Sequence, residues 1–329
     1  MSVTGPKVAV LMSVFNDQGY LADAVESILG QTYADFEFLI IDDGSAEPVE
    51  GLLKSYGDPR IAIHRQQNMG LTRSLNRGLR LCSGRYVARM DADDVSVPTR
   101  LEAQVKELDS DPNLDLVGSS FDVVDASGDL LERKQLITDP LYRLWRLQFH
   151  NNYGHGTIMM RKERVMDVGM YDETLSYAQD YDLWSRLSRK GNTKILPQVL
   201  YRYRMVNSGP QASVRNYDDQ LAAAIRISNR NLLSCNPQLT EEECIEVRAL
   251  YWKFQRPALS RMGIEAIPAT FQGFCTRYAL EHEERTHLAE RLVEDLRAEL
   301  LASPAIREED RTPLLELLRA RAGSSVDGL

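Results

Sequence analysis

A repeated alternation between short β-branched runs and helix-period segments fills the first 110 residues, and it restricts the fold more than any other feature of the chain. Val8-Ala9-Val10-Leu11-Met12-Ser13 has the unbroken apolar character of a strand buried on both faces. Leu21, Val25, Ile28 and Leu29 then share one helical face, and Gly30 supplies its C-terminal stop. Phe36 to Ile41 reads as a second strand running into Asp42-Asp43-Gly44-Ser45, and Ile61 to His64 as a third. Leu71, Leu75, Leu79 and Cys82 form the next helix face, closed by Gly84, and Arg85 to Met90 is a fourth strand. Pro98 stands where a further helix begins, with Leu101, Val105 and Leu108 facing inward. This alternation predicts a three-layer α/β fold, a mostly parallel sheet flanked by helices.

From Leu114 to Arg204 the pattern is mixed. It predicts a strand at Leu116 to Val124, a hairpin onto Leu130, and helices near Leu141 to Phe149 and Asp180 to Arg189. Residues 207–214 read as a turn-rich hinge, and nearly everything beyond is helical. Thr240 and Glu243 have the spacing of a capping box. Leu288, Leu292, Leu296 and Leu300 form an amphipathic stripe ended by Pro304. The expected division is a domain over 1–206, a hinge over 207–214 and a helical region over 215–329. The charge runs at Glu281 to Arg285 and Arg307 to Arg311 read as solvated helix faces. Trp145 and Trp184 sit at core spacing, and Trp252 reads as packing between C-terminal helices.

Composition removes several classes of function. With 39 Lys plus Arg against 48 Asp plus Glu, the net charge of −9 repels phosphate backbones, so a nucleic-acid partner is not expected. The four cysteines show no CxxC pairing and read as buried thiols of a reducing compartment. The apolar run from Val8 to Phe15 is too short to cross a bilayer. A cytoplasmic location is expected, with peripheral contact at the inner face of a membrane open. Intramolecular packing is the default for the C-terminal stripe, with subunit pairing and membrane contact as alternatives. Neither GxGxxG nor GxxxxGK(S/T) occurs, which removes support for dinucleotide oxidoreductases and P-loop enzymes.

In parallel α/β sheets, ligands gather beyond the carboxyl ends of the strands. Three polar clusters fall there: Val14-Phe15-Asn16, Asp42-Asp43-Gly44-Ser45 and Asp91-Ala92-Asp93-Asp94. In extended chain, Asp91 and Asp93 project to one side and can face a hard cation such as Mg²⁺ or Mn²⁺, which phosphate oxygens help to ligate. The plainer alternative is an acidic turn capping the following segment. Asp42 reads as an acceptor for a base or ribose, or as part of a generic D-G turn. Arg73, after Asn68-Met69-Gly70, is either a cation near phosphate or a solvated helix residue. His155, between two glycines, either lies near a second substrate or is an ordinary hydrogen-bonded side chain.

Taken in order, Val10 to Asn16, Ile40 to Ser45, Asn68 to Gly70 and Gly84 to Asp94 resemble the successive blocks of family 2 glycosyltransferases with the GT-A fold. A later block, Gly169 to Glu173 through Ala178 to Arg186, extends the likeness to roughly residues 6 to 205. The resemblance implies a GT-A-type, Rossmann-like catalytic domain. It places Val14, Asn16, Asp42, Arg73 and Asp91 toward the nucleotide, Asp91 and Asp93 on a Mn²⁺ or Mg²⁺ ion, and Asp180 as catalytic base. It implies a nucleotide-diphospho-sugar donor, a UDP-sugar foremost, and a saccharide or lipid-linked saccharide acceptor. The inferred reaction is an inverting, non-processive transfer in cell-surface polysaccharide or glycolipid assembly. Processive synthases usually show QxxRW and membrane spans, and both are lacking here. Two departures stand out: Gln179 where relatives often have Glu, and Tyr201-Arg202-Tyr203-Arg204 where many have a metal-ligating His. Arg204 is then a candidate to neutralise diphosphate directly. Two rival readings stand. One is a haloacid-dehalogenase-type phosphatase with Asp91 as nucleophile, since Asp91-Ala92-Asp93-Asp94-Val95 fits its motif. The other is a non-catalytic sugar-nucleotide module.

Overall fold

The computed structural model describes residues 6–17, 19–205, 217–249, 251 and 261–302. They fall into two compact units, one made from residues 1–138 and 153–221 and the other from residues 139–152 and 222–329.

The first unit carries β1 (Val8–Val14), α1 (Leu21–Leu29), β2 (Phe36–Asp42), α2 (Glu50–Ser55), β3 (Ile61–Arg65), α3 (Leu71–Leu81) and β4 (Tyr86–Asp91). It continues with β5 (Val95–Ser96), α4 (Arg100–Ser110), β6 (Leu116–Val124) and β7 (Leu130–Lys134). After α5 (Pro140–Arg146), which belongs to the second unit, follow β8 (Met159–Arg161), α6 (Lys162–Asp167), α7 (Gln179–Leu187) and β9 (Thr193–Arg204). The nine strands make one sheet in the order β3-β2-β1-β4-β8-β6-β9-β5, with β7 paired to β6. The first four strands are mutually parallel, and β8 enters antiparallel to both β4 and β6. The α/β expectation therefore holds, with the predicted strands in place; of the face expected on α3, Leu75 and Leu79 are buried, whereas Leu71 is exposed and Cys82 follows the end of the helix. Four short elements, α2, β5, α6 and β8, had no readable period in the sequence because two to six residues are too few to establish one.

Strand register builds the rim. Val14 lies opposite Asp42, and Ser13 lies opposite both Ile41 and Asp91. Behind that rim β1 is buried almost without remainder, and Val8, Val10 and Met12 pack with Leu21, Val25 and Ile28 of α1 and with Phe38 and Ile40 of β2. Hydrophobic burial of this kind fixes the register, since a one-residue slip would turn every core side chain outward. The polar clusters at the strand ends are thereby held in one place.

The second unit contains α5, most of α8 (Tyr217–Cys235), α9 (Glu241–Ala249), α10 (Arg261–Arg277) and α11 (His282–Ala302). Trp145 is its centre, with Phe149, Phe274 and Phe271 edge-on at 4.9, 5.2 and 5.9 Å and its indole N–H donating to the Tyr251 hydroxyl at 2.8 Å. The Thr240–Glu243 capping box forms as expected: the Thr240 N–H donates to Glu243 at 2.8 Å, and the Glu243 N–H donates to the Thr240 hydroxyl at 3.2 Å. Leu288, Leu292 and Leu296 are fully buried. The anticipated hinge, Trp252, Pro304 and the charge run at 307–311 lie outside the described residues. Among the described residues, no helix is long and apolar enough to cross a membrane.

Candidate active site

The loops after β1 and β2 are tied to each other. Asn16 sits in the left-handed region (φ 53°), its N–H donates to the Ser45 hydroxyl at 3.0 Å, and its side-chain oxygen accepts from the Ala46 N–H at 2.9 Å. Asp42, only 1% exposed, accepts the Ser45 N–H at 2.9 Å and faces Arg65 at 3.3 Å. Val14 contributes its carbonyl, which accepts the Asp43 N–H at 2.8 Å. Asp43 in turn accepts from the Met69 and Gly70 N–H groups, both at 2.9 Å, and from the Gln66 amide at 2.7 Å. The acidic pair after β2 thus has two jobs, with Asp42 shaping its own turn and Asp43 fixing the loop that starts α3. Gly44 makes this closeness workable, because at φ 82° a Cβ would lie 2.7 Å from the Asn68 nitrogen. Arg73 does not join this group; it is 3.6 Å from Glu173, and Arg65 is the cation beside Asp42.

Beyond β4 the acidic turn is braced from β9. The Asp91 N–H donates to the Tyr201 hydroxyl at 3.2 Å, and Asp94 accepts the Arg204 N–H at 2.8 Å. Asp94 is completely buried next to Asp93, and burial followed by that neighbouring charge pushes its carboxyl up to about 7. Arg204 corrects the sequence reading. It is 4% exposed, and its guanidinium donates to the Asp93 carbonyl (2.9 Å), the Ala126 carbonyl (2.8 Å) and Asp23 (3.0 Å) while lying over the Tyr20 ring. It shapes the acidic turn from behind and does not present a free cation to a diphosphate.

A cavity of about 280 Å³ opens beside Asp91. Asp91 and His155 are on its wall, with Phe121, Tyr201 and Tyr203 as aromatic surfaces and Lys134 as a cation. Gly154 and Gly156 are glycines for a reason of packing: a Cβ on Gly156 would enter the Tyr201 ring, and one on Gly154 would lie 3.1 Å from Phe121. The His155 Nε2 and the Tyr171 hydroxyl are 2.9 Å apart, and the imidazole sits edge-on to Trp184 at 6.0 Å. Burial, and then the charge of Arg89, hold His155 well below its usual pKa, so it is neutral at pH 7. Tyr171 is raised by burial, and Asp180 is among the charges that act on it. Asp180 does not itself line the cavity wall.

Asp180 is the second residue of α7, where its carboxylate accepts the Tyr181 N–H at 2.8 Å. The cap position is Ala178, in the left-handed region at φ 55°, so Asp180 belongs to the first turn and is not the N-cap. The first turn of a helix favours an ionised carboxylate. Asp182, two residues further in, is paired with Arg186 at 2.7 Å, and Arg186 donates to the Val168 and Met170 carbonyls at 2.5 and 2.6 Å. That clamp sets the course of the loop leading to Asp180.

The chemistry of the donor set can be tested against a divalent ion. Asp91 and Asp93 are two hard oxygen donors, and among the described residues no group of three His, Cys, Asp or Glu side chains comes together to hold a metal. Two carboxylates fit Mg²⁺ or Mn²⁺ only as a partial shell that phosphate and water complete. Sequence reasoning missed Arg89, Tyr171 and Tyr201. Arg89 was detectable, because a charged side chain in the otherwise apolar Tyr86-Val87-Ala88-Arg89-Met90 breaks the pattern of a buried strand.

A parallel α/β rim that carries paired carboxylates, followed by a mixed-sheet half with an aromatic cavity, defines a glycosyltransferase of the GT-A type. Residues 9–169 match the family model Glycosyl transferase family 2. An uncharacterized glycosyltransferase of Methanocaldococcus jannaschii is 32% identical over 211 residues, covering 61% of this chain and 72% of that one. The amylovoran biosynthesis glycosyltransferase AmsE of Erwinia amylovora is 32% identical, covering 60% of this chain and 75% of its own. Residues 1–349 of S. aureus TarS in complex with UDP-GlcNAc share the fold at a TM-score of 0.59 and 17% identity, covering 96% of this chain and 88% of that one. The chain belongs to the family 2 glycosyltransferases. The match takes in the clusters after β1 and β2, for which a phosphatase with Asp91 as nucleophile has no role.

Proposed function

We propose that this glycosyltransferase moves a sugar from a nucleotide-diphosphate donor, a UDP-sugar foremost, onto a hydroxyl of a saccharide or lipid-linked saccharide, in a single inverting step. The observation that carries the reading is the strand register, which sets Asp42 and Asp91 at one rim with β1 between them, and the cavity beginning at Asp91. Asn16, Asp42 and Arg65 form the nucleoside end, where a buried carboxylate and nearby backbone groups can accept and donate to a base and ribose. On the other side of Asp91, Phe121, Tyr201 and Tyr203 offer aromatic faces suited to the C–H surface of a pyranose. The TarS complex with UDP-GlcNAc and the amylovoran assignment of AmsE support the donor class and a role in cell-surface polysaccharide or glycolipid assembly.

Within this reading each residue has a limited task. Asp91 and Asp93 would hold a Mg²⁺ or Mn²⁺ ion, whose chemistry is to offset charge on the departing diphosphate. Asp180 takes the proton of the acceptor hydroxyl as the new C–O bond forms, through an oxocarbenium-like transition state. His155 stays neutral on the cavity wall, where its Nε2 and the Tyr171 hydroxyl are 2.9 Å apart. The experiment is Asp180→Asn with a nucleotide-sugar panel. Turnover should fall about 10² to 10⁴-fold, the usual worth of a positioned base, while UDP affinity is retained. Unchanged turnover removes Asp180 from the role. Phosphomonoester hydrolysis without an acceptor would instead favour Asp91 as a phosphatase nucleophile.

A further inference from the structure

Strand β4 holds an arginine where all its near neighbours are apolar. Tyr86, Val87, Ala88 and Met90 are fully buried, and Arg89 among them is 3% exposed. A guanidinium in such a place is stable only beside a counter-charge. The counter-charge is Asp91, two residues on and projecting from the same side of the strand, whose carboxylate meets Arg89 Nη1. Asp91 is the more accessible partner, its side chain 30% exposed. The contact is a charge pairing and not a formed fork, since Arg89 Nε and Nη1 make no hydrogen bond of regular geometry. The Arg89 charge also acts on the buried Asp94 carboxyl of the same acidic turn. The Arg89 backbone is already satisfied, with its N–H donating to the Ile158 carbonyl at 2.9 Å and its own carbonyl accepting from Arg100 at 2.7 Å.

We propose that Arg89 is the resident counter-ion of Asp91, and that it couples the arrival of a divalent cation to that of the nucleoside diphosphate. The inference rests on the glycosyltransferase reading of the site. A bare dication approaching Asp91 meets a carboxylate that is already neutralised and a fixed positive charge in contact with it. Repulsion between like charges is strong where water is partly excluded. A diphosphate brings anionic oxygens that ligate the ion and offset Arg89 in the same act, so each ligand raises the affinity of the other by the same factor. Arg89 stays buried throughout and acts through its charge on Asp91. The residue is a positioning residue for the metal-binding carboxylate, and its effect is read in binding rather than in turnover.

The test is calorimetric titration of the full chain with Mn²⁺ alone, with UDP, GDP and ADP alone, and with each nucleotide at fixed Mn²⁺. For the unaltered chain the expected result is weak binding of bare Mn²⁺ and a coupling of about tenfold or more between Mn²⁺ and the preferred nucleotide. Arg89→Met should tighten bare Mn²⁺ by about tenfold or more and bring the coupling toward unity. Arg89→Lys, which keeps the charge, should behave as the unaltered chain does. An Arg89→Met protein with an unchanged circular dichroism spectrum that binds Mn²⁺ no more tightly overturns the proposal. Should Arg89→Met fail to fold, the unaltered chain decides: equal nucleotide affinity with and without Mn²⁺ overturns it, and the expected coupling supports it. Failure of every nucleotide to bind the unaltered chain takes the glycosyltransferase reading down as well, whereas good binding with an inert Arg89→Met removes Arg89 alone.

Discussion

His155 shows how one side chain can link stability to the site. Its folded pKa lies well below the ordinary value near 6.5, so the native protein keeps the ring neutral while the unfolded chain takes up a proton as pH falls. Stability is therefore full above pH 6.5 and is lost below it, by at most about 1.4 kcal/mol per pH unit for this group. His150, lowered to about 4 by burial and the charge of Arg146, adds a second contribution of the same sign in the other unit. His155→Gln should remove about one proton's worth of this slope between pH 6.5 and 5, measured by urea titration at several pH values. An unaltered slope would mean that His155 titrates normally. Gly44 offers a steric counterpart. An alanine there must adopt a left-handed backbone, at about 1–2 kcal/mol, and must push against the Asn68 backbone. Gly44→Ala should destabilise by at least that amount and weaken nucleotide binding, because the displaced loop is the one Asp43 holds. Several of these residues could be nominated from sequence, since Asp42, Asp91, Asp93 and Asp180 follow predicted strands or open a predicted helix. Arg204 could not be placed. Its partners, Asp23 and the Asp93 and Ala126 carbonyls, come from three distant stretches that only the folded sheet brings together.

At the scale of elements, α3 carries the segment that leads to Asp180. Asn76, buried on that helix, donates to the Tyr171 carbonyl at 2.9 Å and to Glu173 at 3.0 Å, and accepts the Tyr171 N–H at 3.0 Å. Thr72 adds a bond to the Leu175 carbonyl at 2.9 Å. Asn76→Ala leaves the buried Tyr171 backbone groups without partners and should cost about 1–3 kcal/mol. Tyr171 also supports His155, so turnover should fall more than donor affinity does; an equal fall in both would place Asn76 in donor binding. In the helical unit, Thr240→Ala removes one arm of the capping box and should lower stability by about 1 kcal/mol with no effect on nucleotide affinity. The four parallel strands were legible because each is a short, mostly apolar run between turn signals. β8 and the antiparallel entry it creates were not, because three residues carry no period and pairing is decided at a distance.

For the whole molecule, the sequence foresaw a sheet unit and a helical region, but one piece of the division had no local sign. Residues 139–152 lie between strands of the sheet unit in sequence and pack with the helices. The reason is physical: Trp145 and Phe149 need partners that residues 251, 271 and 274 supply, and such long-range packing leaves no trace in nearby spacing. The candidate active site, by contrast, is contained in the sheet unit, with Asp42, Asp91, Asp93, His155 and Asp180 all within its two segments. The most direct measurement is a crystal structure of the Asp180→Asn protein soaked with Mn²⁺ and UDP. One anomalous peak should fall between Asp91 and Asp93, with the nucleoside toward Asp42 and the diphosphate facing the cavity wall at His155. A nucleotide bound elsewhere, or a manganese peak away from Asp91, would contradict the account.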